Sequence, residues 1–472
     1  MKARAFLRYN RTMQSLTELK NMRVTVMGLG LNGGGLASAS FFARHGAQVT
    51  VTDLKNAEAL APSLNKLKHI PNMRFVTGEH RIEDFKTADI VIKNPGVKRE
   101  GNRYLDAACR IETDISVFLA FSNAPILAVT GSKGKSSTAS ALYYGLTSSG
   151  YTAFLGGNIT VSPLTFLDKT DSDTPVVLEL SSWQLADLKD VGAFKPKTAV
   201  ITPIMSDHLN WYGNMEAYVA DKKIIYKNMD TDSNLICGFD DEWGATFARE
   251  SNAAIYRYSE RHLPDGIRGA FFAEDGNGYC RIGQTAVKAL SEESRVPGKK
   301  MRQNVLNAAL ALMLYGAPQN SVADIMDSYA GIEHRMEFFY EAGGVAFYND
   351  SAATIPEAAA AAIQAFAEPP VLICGGTDKR LDFTPLAESA SHAKSIFLLR
   401  GSATELLIPL LKKHGVRYFG PFDGFEPLLR ELKKQLETGD KAVLSPGAAS
   451  FELFTNEFDR GNQFKEAVKR LF

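Results

Sequence analysis

The sequence predicts an α/β protein of three domains, and three observations support this prediction. The chain has 472 residues, whereas one domain usually takes about 100–200. Short apolar runs of strand length alternate with helix-permissive segments along most of it. Glycine-rich or polar turns follow many of these runs directly, as expected at the carboxyl edge of a parallel sheet. We place the domains at residues 1–122, 123–330 and 331–472.

Composition excludes several classes of protein. Lys plus Arg and Asp plus Glu each total 53, so no basic field indicates a nucleic-acid partner. No apolar run approaches the ~18 residues of a membrane span, and the basic N-terminus lacks a signal-peptide core. The 4 cysteines show no C-x-x-C spacing. We therefore expect a cytoplasmic enzyme that acts on small molecules, without membrane insertion.

The first domain begins with a predicted βαβ unit. Its parts are a strand at residues 23–27, a glycine turn at 28–33, a helix at 36–45 and a strand at 48–52 that ends on Asp53. An acidic residue about 20 positions past the third glycine is typical of Rossmann-like dinucleotide sites. An NAD-dependent oxidoreductase and a unit that binds another nucleotide, or none, both remain open. Further on, a strand at residues 90–93 enters the turn Asn94-Pro95-Gly96, a position where such sheets bind ligands.

The central domain contains the stretch around which the chain is organised. The apolar run 126–130 leads into Gly131-Ser132-Lys133-Gly134-Lys135-Ser136-Ser137 and then into a helix-permissive segment. A strand, a glycine turn and a helix start form a phosphate loop, although one with two residues fewer than usual between its glycines. Backbone N–H groups and Lys135 would bind phosphates, and the Ser136 hydroxyl can bind Mg²⁺. An ordinary Gly- and Lys-rich turn is the alternative.

Three more polar residues of this domain follow apolar strands. Glu179 stands in the apolar run 176–180, where a lone carboxylate needs a partner such as Mg²⁺. His208 follows the strand 198–202 and could be either a metal ligand or an ordinary hydrogen-bonded histidine. Lys222 lies in a predicted helix at 218–226 and by itself would be a solvated lysine.

The remaining segments complete the organisation. Residues 228–298 are interpreted as a peripheral β region, and residues 303–315 as a helix with Asn304 and Asn307 near its start, where they could simply be caps. The third domain has predicted strands at 345–348, 371–374, 395–400 and 442–444, and a helix at 356–367. Four strands alternating with helices indicate a second doubly wound, Rossmann-like sheet.

Taken together, the motifs resemble those of the Mur ligases, ATP-dependent amide-forming enzymes of peptidoglycan synthesis with three α/β domains. The resemblance covers about residues 22–472, and its motifs stand in the family's order. They are residues 131–137, 179–185, Asp207-His208, 304–307, His334-Arg335, 349–351 and 445–450. Among members of the family, the chain most resembles those that join D-glutamate to UDP-N-acetylmuramoyl-L-alanine through an acyl phosphate. We expect a monomer.

The resemblance also implies residue roles. Lys135 would bind the transferred phosphate; Ser136 and Glu179 would hold one Mg²⁺, and His208 a second. Lys222 matches a lysine that the family carries as a carbamate, formed from CO₂, which would also serve the metal. ATP would contact residues 131–137, Asn304, Asn307, Arg335 and Asp350. The nucleotide sugar would contact Gly30, Leu31, Asn32, Asp53, Asn94, Gly96, Asn158 and Ser181, and D-glutamate would contact Thr354, Lys379 and Ser450.

The chain departs from the family pattern at a few positions. Ser132-Lys133 replaces the usual Thr-Asn of the phosphate loop, and Ala352 stands where a lysine usually follows Asn-Asp-Ser. The missing charge leaves open a sister ligase that uses a different amino acid. Either Phe454 or Phe458 could make the family's aromatic contact. A catalytically silent nucleotide-binding scaffold is a third alternative, which the full set Lys135, Glu179, His208 and Lys222 disfavours.

Overall fold

A computed structural model describes residues 15–31, 33–159 and 161–472 of the chain. The basic N-terminal segment therefore falls largely outside the described residues, as does Asn32. The chain divides into two compact units. One holds the described residues up to Phe272 with Tyr279–Val287 and Asn307–Gln319; the other holds Ala273–Gly278, Lys288–Leu306 and Asn320–Phe472.

The first sheet has five strands, all parallel. They are β1 (Arg23–Met27), β2 (Gln48–Asp53), β3 (Met73–Thr77), β4 (Ile90–Lys93) and β5 (Ile111–Glu112), in the order β3-β2-β1-β4-β5. Its helices are α1 (Gly34–Arg44), α2 (Ala61–Leu67), α3 (Ile82–Lys86), α4 (Arg103–Asp106) and α5 (Asp114–Phe121). Strand order reverses between β1 and β4, so the glycine turn and the Asn94 turn emerge side by side, where doubly wound sheets bind ligands.

The second sheet has nine strands in the order β14-β13-β12-β11-β10-β9-β6-β8-β7. They are β6 (Ile126–Thr130), β7 (Phe154–Gly157), β8 (Val176–Glu179), β9 (Thr198–Ile201), β10 (Asn234–Gly238), β11 (Ala254–Ser259), β12 (Gly269–Phe272), β13 (Gly278–Arg281) and β14 (Ala286–Leu290). Helices α6 (Lys135–Ser148), α7 (Ser182–Asp187), α8 (Leu209–Tyr212), α9 (Met215–Lys223), α10 (Glu242–Glu250), α11 (Lys299–Tyr315) and α12 (Val322–Asp327) follow in the chain. The segment interpreted as a peripheral β region instead extends the central sheet, since β10 pairs with β9 in parallel register.

The third sheet has six strands, two more than predicted. They are β15 (Glu337–Ala342), β16 (Val345–Asn349), β17 (Val371–Gly375), β18 (Ser395–Leu399), β19 (Tyr418–Phe422) and β20 (Lys441–Leu444), in the order β15-β16-β20-β17-β18-β19. The helices are α13 (Pro356–Ile363), α14 (Thr384–Ser389), α15 (Ser402–Lys413), α16 (Phe425–Leu432) and α17 (Glu457–Leu471). β15 is antiparallel to β16, and the other pairings are parallel. The predicted α/β fold with three parallel-type sheets is confirmed.

Apolar residues of the strands and of the facing helix sides form the cores. β6, β8 and β9 are buried at every position, as are β4 and β17, which matches the continuous apolar runs of central parallel strands. None of the helices described between residues 15 and 472 is long and apolar enough to cross a membrane. The polar residues at the carboxyl ends of these strands are consequently the chemically informative ones.

Candidate active site

The phosphate loop lies between β6 and α6, as predicted. Gly134 precedes the helix with φ of 89°, a left-handed conformation that glycine adopts without steric cost. Lys135 folds back and donates from Nζ to the Ser132 carbonyl oxygen at 3.0 Å. Ser136 follows it in the first turn of α6. The N-terminus of a helix presents unpaired N–H groups to an anion, so the loop has the geometry of a phosphate site.

Gly131 is required by the close approach of β9. Its φ is +142°, and a Cβ atom there would overlap the Thr202 Oγ1 and lie 2.7 Å from the Thr202 carbonyl oxygen. Thr202 also donates from Oγ1 to the Thr130 carbonyl oxygen at 3.1 Å, and Ser132 N–H donates to the Pro203 carbonyl oxygen at 3.0 Å. The neighbouring strand end therefore fixes the loop from one side.

Gly131→Ala should lower the thermal unfolding temperature, because overpacking costs roughly 1–3 kcal/mol and the backbone is strained as well. Gly150→Ala is the matched control, since Gly150 also has a positive φ of +89° but nothing lies within 4 Å of the added Cβ. Differential scanning calorimetry of the two variants compares them. Equal decreases in the unfolding temperature of the two variants would show that overlap with Thr202 does not destabilise the Gly131→Ala protein.

Lys222 is brought to the phosphate loop from α9. The side chain is 1% exposed, its Nζ donates to the Gly131 carbonyl oxygen at 2.8 Å, and it lies 4.6 Å from the Tyr218 ring centroid. Burial, reinforced by the nearby charge of Lys135, lowers the pKa of Lys222 to about 7. The alternative of a solvated surface lysine is therefore wrong.

Glu179 ends β8 and faces the same region. It is 1% exposed; one carboxylate oxygen, Oε1, accepts a hydrogen bond from the Asn158 amide at 3.0 Å. The other, Oε2, is buried and has no hydrogen-bond partner among the residues that the structure describes. A buried carboxylate oxygen without a donor is costly unless a cation or proton meets it, so this oxygen suits a bound Mg²⁺.

Lys135 completes this charge arrangement. Burial lowers the pKa of Lys135, and the carboxylates of Glu179 and Asp207 act in the opposite direction. Lys135 therefore interacts electrostatically with Glu179 and with Lys222 around the phosphate loop.

His208 takes a more open position than the other predicted ligands. Its backbone is left-handed, with φ of 53°, and its side chain is 45% exposed. The ring centroid lies 5.0 Å from that of Trp183. No cluster of three His, Cys, Asp or Glu side chains suited to a metal occurs in the described part of the chain. The predicted metal ligands include only two residues of these types, Glu179 and His208; the other two are a serine and a lysine.

An open cleft of about 270 Å³ lies beside Glu179, lined by residues of the first and second sheets. It brings together four of the residues predicted for the nucleotide sugar, namely Asn94, Gly96, Asn158 and Ser181. Gly28 of the glycine turn also lines the cleft, as do Gly34 and Gly35 at the start of α1. Gly30, Leu31 and Asp53 are outside this lining. The Asp53 carboxylate instead accepts the Gly30 and Lys55 N–H groups at 3.0 and 2.9 Å, which stabilises the turn.

The predicted D-glutamate residues lie on three strand-end loops joined by backbone hydrogen bonds. Thr377 and Ala449 exchange N–H···O bonds of 2.9 and 3.0 Å, and Gly447 N–H donates to the Ala353 carbonyl oxygen at 2.9 Å. Thr354, Lys379 and Ser450 each lie one or two residues from these bonds. Lys379 is exposed, with Nζ 6.0 Å from the Phe451 ring centroid, so its charge is free to meet a ligand.

The predicted ATP residues of the C-terminal unit are placed as follows. Asp350 is 8% exposed and accepts the Met336 N–H at 3.1 Å and the Ser445 hydroxyl at 2.7 Å; burial raises the pKa of Asp350 to about 7. Arg335, which precedes Met336 in the chain, is exposed, and Asn304 is buried. Asn307, in the other unit, is also buried. Asparagines inside α11 are not caps, because the helix begins at Lys299.

Phe454 and Phe458 are the two candidates for the family's aromatic contact, and they differ in exposure. Phe454 is 9% exposed and packs in the core, 5.2 Å from the Phe425 ring. Phe458 is 55% exposed and lies 5.5 Å from the His334 ring. Phe451, which sequence reasoning did not single out, is 63% exposed beside Lys379. Phe454 therefore serves packing, whereas Phe451 and Phe458 face outward.

Sequence reasoning also missed Arg460, which is 0% exposed. Its guanidinium donates to Ser351 Oγ and O at 3.0 and 2.8 Å, and to the Ala448 and Ala449 carbonyl oxygens at 3.0 and 3.1 Å. It joins the loop after β16 to the loop after β20. An arginine in an amphipathic helix carries no sequence signal of such burial.

The phosphate loop with its buried lysine and carboxylate, in a chain that forms three α/β sheets, fits the class of ATP-dependent ligases, and comparisons with known proteins agree. The family descriptions "Mur ligase middle domain" and "Mur ligase MurD-like, N-terminal domain" match residues 129–314 and 22–115. The chain belongs to the Mur ligase family. The glycine turn is thus part of a MurD-like domain, and the alternative of an NAD-dependent oxidoreductase is wrong.

Individual relatives show which members of the family the chain resembles. UDP-N-acetylmuramoylalanine–D-glutamate ligase of Treponema pallidum (strain Nichols) is 46% identical, over 97% of this chain and 99% of the relative. The protein of the same name from Borreliella burgdorferi (strain ATCC 35210) is 40% identical over 97% and 99%. MurC, a UDP-N-acetylmuramate-alanine ligase of Thermotoga maritima, has a TM-score of 0.56 at 18% identity, covering 95% of this chain and 99% of its own. This last similarity concerns the fold.

Proposed function

We propose that the protein is a cytoplasmic, ATP-dependent ligase that adds D-glutamate to UDP-N-acetylmuramoyl-L-alanine during the synthesis of peptidoglycan precursors. One observation carries the proposal. The phosphate-loop lysine, the buried Lys222, and Glu179 with its open oxygen lie together, and Asn158 links this cluster to the cleft lined by Asn94, Gly96 and Ser181. The names of the relatives, which span nearly the whole chain, support the choice of substrates.

The reaction needs an activated carboxyl group, because an amine does not displace oxide from a carboxylate. Transfer of the ATP γ-phosphoryl group to the alanyl carboxylate gives an acyl phosphate and ADP. The D-glutamate amine attacks the acyl carbon, and phosphate leaves as the tetrahedral intermediate collapses. Lys135 and the loop N–H groups stabilise the charge of the transferring group, so catalysis depends mainly on positioning and preorganised charge.

Glu179 Oε2, Ser136, His208 and a carbamate on Lys222 are the residues that would hold two Mg²⁺ ions. Bound Mg²⁺ supplies neutralisation of the phosphate oxygens and of the developing oxyanion. The donor set fits a hard cation, since its members are oxygen ligands apart from the His208 imidazole. Asn158 fixes the orientation of Glu179 by donating to Oε1, and Oε2, which has no hydrogen-bond partner among the described residues, would be available to a metal ion.

The surroundings of Lys222 support the proposed carbamate. Only a neutral amine reacts with CO₂, and an ordinary lysine with a pKa of about 10.4 is protonated at neutral pH. Burial lowers the pKa of Lys222 to about 7, so a sizeable fraction of the amine is neutral there. The product exchanges a cation for an anion with two oxygens, which removes the repulsion between Lys222 and a dication.

The amino acid is proposed to bind at the C-terminal sheet. A dicarboxylate needs cationic and hydroxyl partners, and the loops carrying Thr354, Lys379 and Ser450 provide them. Ala352 removes one cation from this region relative to the family pattern. Asn304, Asn307, Arg335 and Asp350 are proposed to contact ATP, and a monomer remains our expectation.

The decisive experiment measures phosphate release from ATP with UDP-N-acetylmuramoyl-L-alanine and a panel of D- and L-amino acids. We expect turnover with D-glutamate to exceed that with every other amino acid. Faster turnover with an L-amino acid or D-lysine would instead identify a sister ligase, and Ala352 would be the first position to examine. No turnover with any of them would support the silent scaffold.

Lys379→Ala should raise the KM for D-glutamate about 10-fold or more, since a charge-assisted hydrogen bond is lost. The KM for ATP should change little, which initial-rate kinetics with each substrate varied in turn will test. Lys412→Ala is the control, because Lys412 is an exposed lysine of the same unit at the end of α15. Equal effects of the two substitutions would remove Lys379 from the amino-acid site.

A further inference from the structure

A buried ion pair joins β4 of the first sheet to α7 of the second. Lys93, the last residue of β4, has a side chain that is 3% exposed, and its Nζ lies 2.8 Å from Oδ2 of Asp187, which is 10% exposed. The same Nζ donates to the carbonyl oxygens of Asn94 and Val97 at 3.3 and 2.9 Å. Nζ therefore makes two hydrogen bonds to the turn and a charge contact with Asp187, whose Oδ2 has no hydrogen-bond donor among the described residues.

Both ends of this connection belong to elements of the candidate cleft. Lys93 binds the backbone of the turn that presents Asn94, Pro95 and Gly96 to the cleft. Asp187 is the last residue of α7, a helix of less than two turns. Its N-cap is Ser181, and Trp183 and Gln184 of the same helix also line the cleft. The pair therefore links the two walls of the cleft directly.

Stabilisation of the fold does not by itself explain why these two charged residues are buried as a pair. Removing two charges from water is expensive, and apolar residues of similar volume often stabilise a fold as well or better. Burial raises the pKa of Asp187, although the neighbouring Lys93 opposes that effect. An ion pair does differ from apolar contacts in direction, because the ammonium holds one carboxylate and two named carbonyl oxygens in a set geometry.

We propose that Lys93 and Asp187 are positioning residues that fix the Asn94–Gly96 turn against α7 and so preform the cleft for the nucleotide sugar. The inference rests on the proposed function for the identity of that ligand. Neither side chain contacts the reacting atoms; each acts through the backbone or the helix that it holds. Preforming a site reduces the ordering that the ligand must impose when it binds.

The test combines Lys93→Met with a double variant, Lys93→Met/Asp187→Leu. The single variant leaves a buried carboxylate without its partner and should unfold at a lower temperature. The double variant replaces the pair by apolar side chains and should recover most of that loss. If the pair acts by positioning, the double variant should still have a KM for UDP-N-acetylmuramoyl-L-alanine raised by about 10-fold or more, as expected for a misplaced binding element. The KM values for ATP and D-glutamate should stay within about 2-fold.

Arg23→Met is the matched control. Arg23 pairs with Asp89 at 3.0 Å in the same sheet, but its side chain is 53% exposed at the amino end of β1, far along the strands from the carboxyl-end cleft. It should leave every KM unchanged. A double variant with wild-type KM for the nucleotide sugar, or one whose KM recovers together with its unfolding temperature, would overturn the positioning role.

Calorimetric titration with UDP-N-acetylmuramoyl-L-alanine, without ATP, distinguishes failure of the proposed function from failure of the positioning role. If the wild type neither binds nor turns over this compound, the proposed function fails. If the wild type binds it and the double variant binds it equally tightly, the proposed function stands and the positioning inference alone is wrong. Weaker binding by the double variant, with the Arg23→Met protein unaffected, supports both the proposed function and the positioning role.

Discussion

Lys135→Ala should lower turnover by about 10²-fold or more, as expected when a preorganised charge on the transferring group is lost. Lys135 reaches back over the phosphate loop to the Ser132 carbonyl oxygen at 3.0 Å, so its ammonium lies where phosphate would bind. Its removal also takes away one of the charges that lower the pKa of Lys222. The variant should therefore lose activity through two routes, phosphate binding and a smaller neutral fraction of Lys222.

Steady-state phosphate release and a thermal unfolding curve check this result together. The fold should survive, because the lysine donates only to its own loop and belongs to no apolar core. Lys197→Ala is the control. Lys197 stands just before β9, is exposed, and donates from Nζ to the Asp232 carbonyl oxygen. Near-normal turnover of the Lys135→Ala enzyme would remove the central claim about the phosphate loop.

Lys222→Ala should nearly abolish activity, and acetate or another small carboxylate should restore part of it. The physical reason is that the vacated space would otherwise hold the two oxygens of the proposed carbamate, which a soluble carboxylate can replace. Lys223→Ala is the matched control on the same helix. Lys223 pairs with Glu250 at 2.9 Å with 29% of its side chain exposed, so its loss should leave turnover almost unchanged.

The measurement is turnover of both variants against acetate concentration. Full activity of Lys222→Ala without acetate, or rescue of Lys223→Ala instead, would show that the assignment is wrong. Mass spectrometry is a weaker test, because carbamates decompose in acid.

The lowered pKa of Lys222 also predicts a pH dependence for its reaction with CO₂. The amine is protonated below the folded-state pKa of about 7 and neutral above it, whereas an ordinary lysine becomes neutral only near 10.4. Enzyme freed of CO₂ should therefore regain activity on addition of bicarbonate more completely at pH 8 than at pH 6. Recovery that first appears near pH 10 would contradict a depressed pKa.

The same shift carries a consequence for stability. Between pH 7 and 10.5 the unfolded chain binds a proton on Lys222 that the folded chain without carbamate has lost, so the free energy of unfolding rises with pH in this window. Below pH 7 both states are protonated and the burial penalty is fully present. Lys222→Met should flatten this rise, which denaturant titrations at pH 7 and pH 9 can detect.

Sequence patterns located the central strands well. β1 and β6 begin and end at the predicted residues, because a continuous apolar run bounded by a polar or glycine turn is a local signal. The edge strands of the third sheet were missed. β19 contains Gly420 and Pro421, and β15 contains two glutamates. Such residues are typical of turns or surfaces, and a sheet tolerates them only at its edge.

Longer-range pairing was also beyond the sequence. Residues 228–298 showed strand-like segments, but nothing in them indicated that β10 would extend the central sheet by pairing with β9. The helix predicted to reach residue 367 ends at Ile363, ahead of Pro369 and Pro370. Partner strands are chosen by tertiary packing, which a local pattern does not encode.

By itself, the sequence determined the fold class, the phosphate loop, and the polar residues at strand ends, since each depends on neighbours along the chain. Only the tertiary structure decided which charges are buried and what they meet. Lys222 and Lys93 have the same side chain as any solvated lysine, and no spacing distinguishes them. Packing places one against the Gly131 carbonyl oxygen and the other against Asp187. Desolvation and the nearest charges then set the protonation of Lys222, and the contacts of both lysines are properties of the assembled fold.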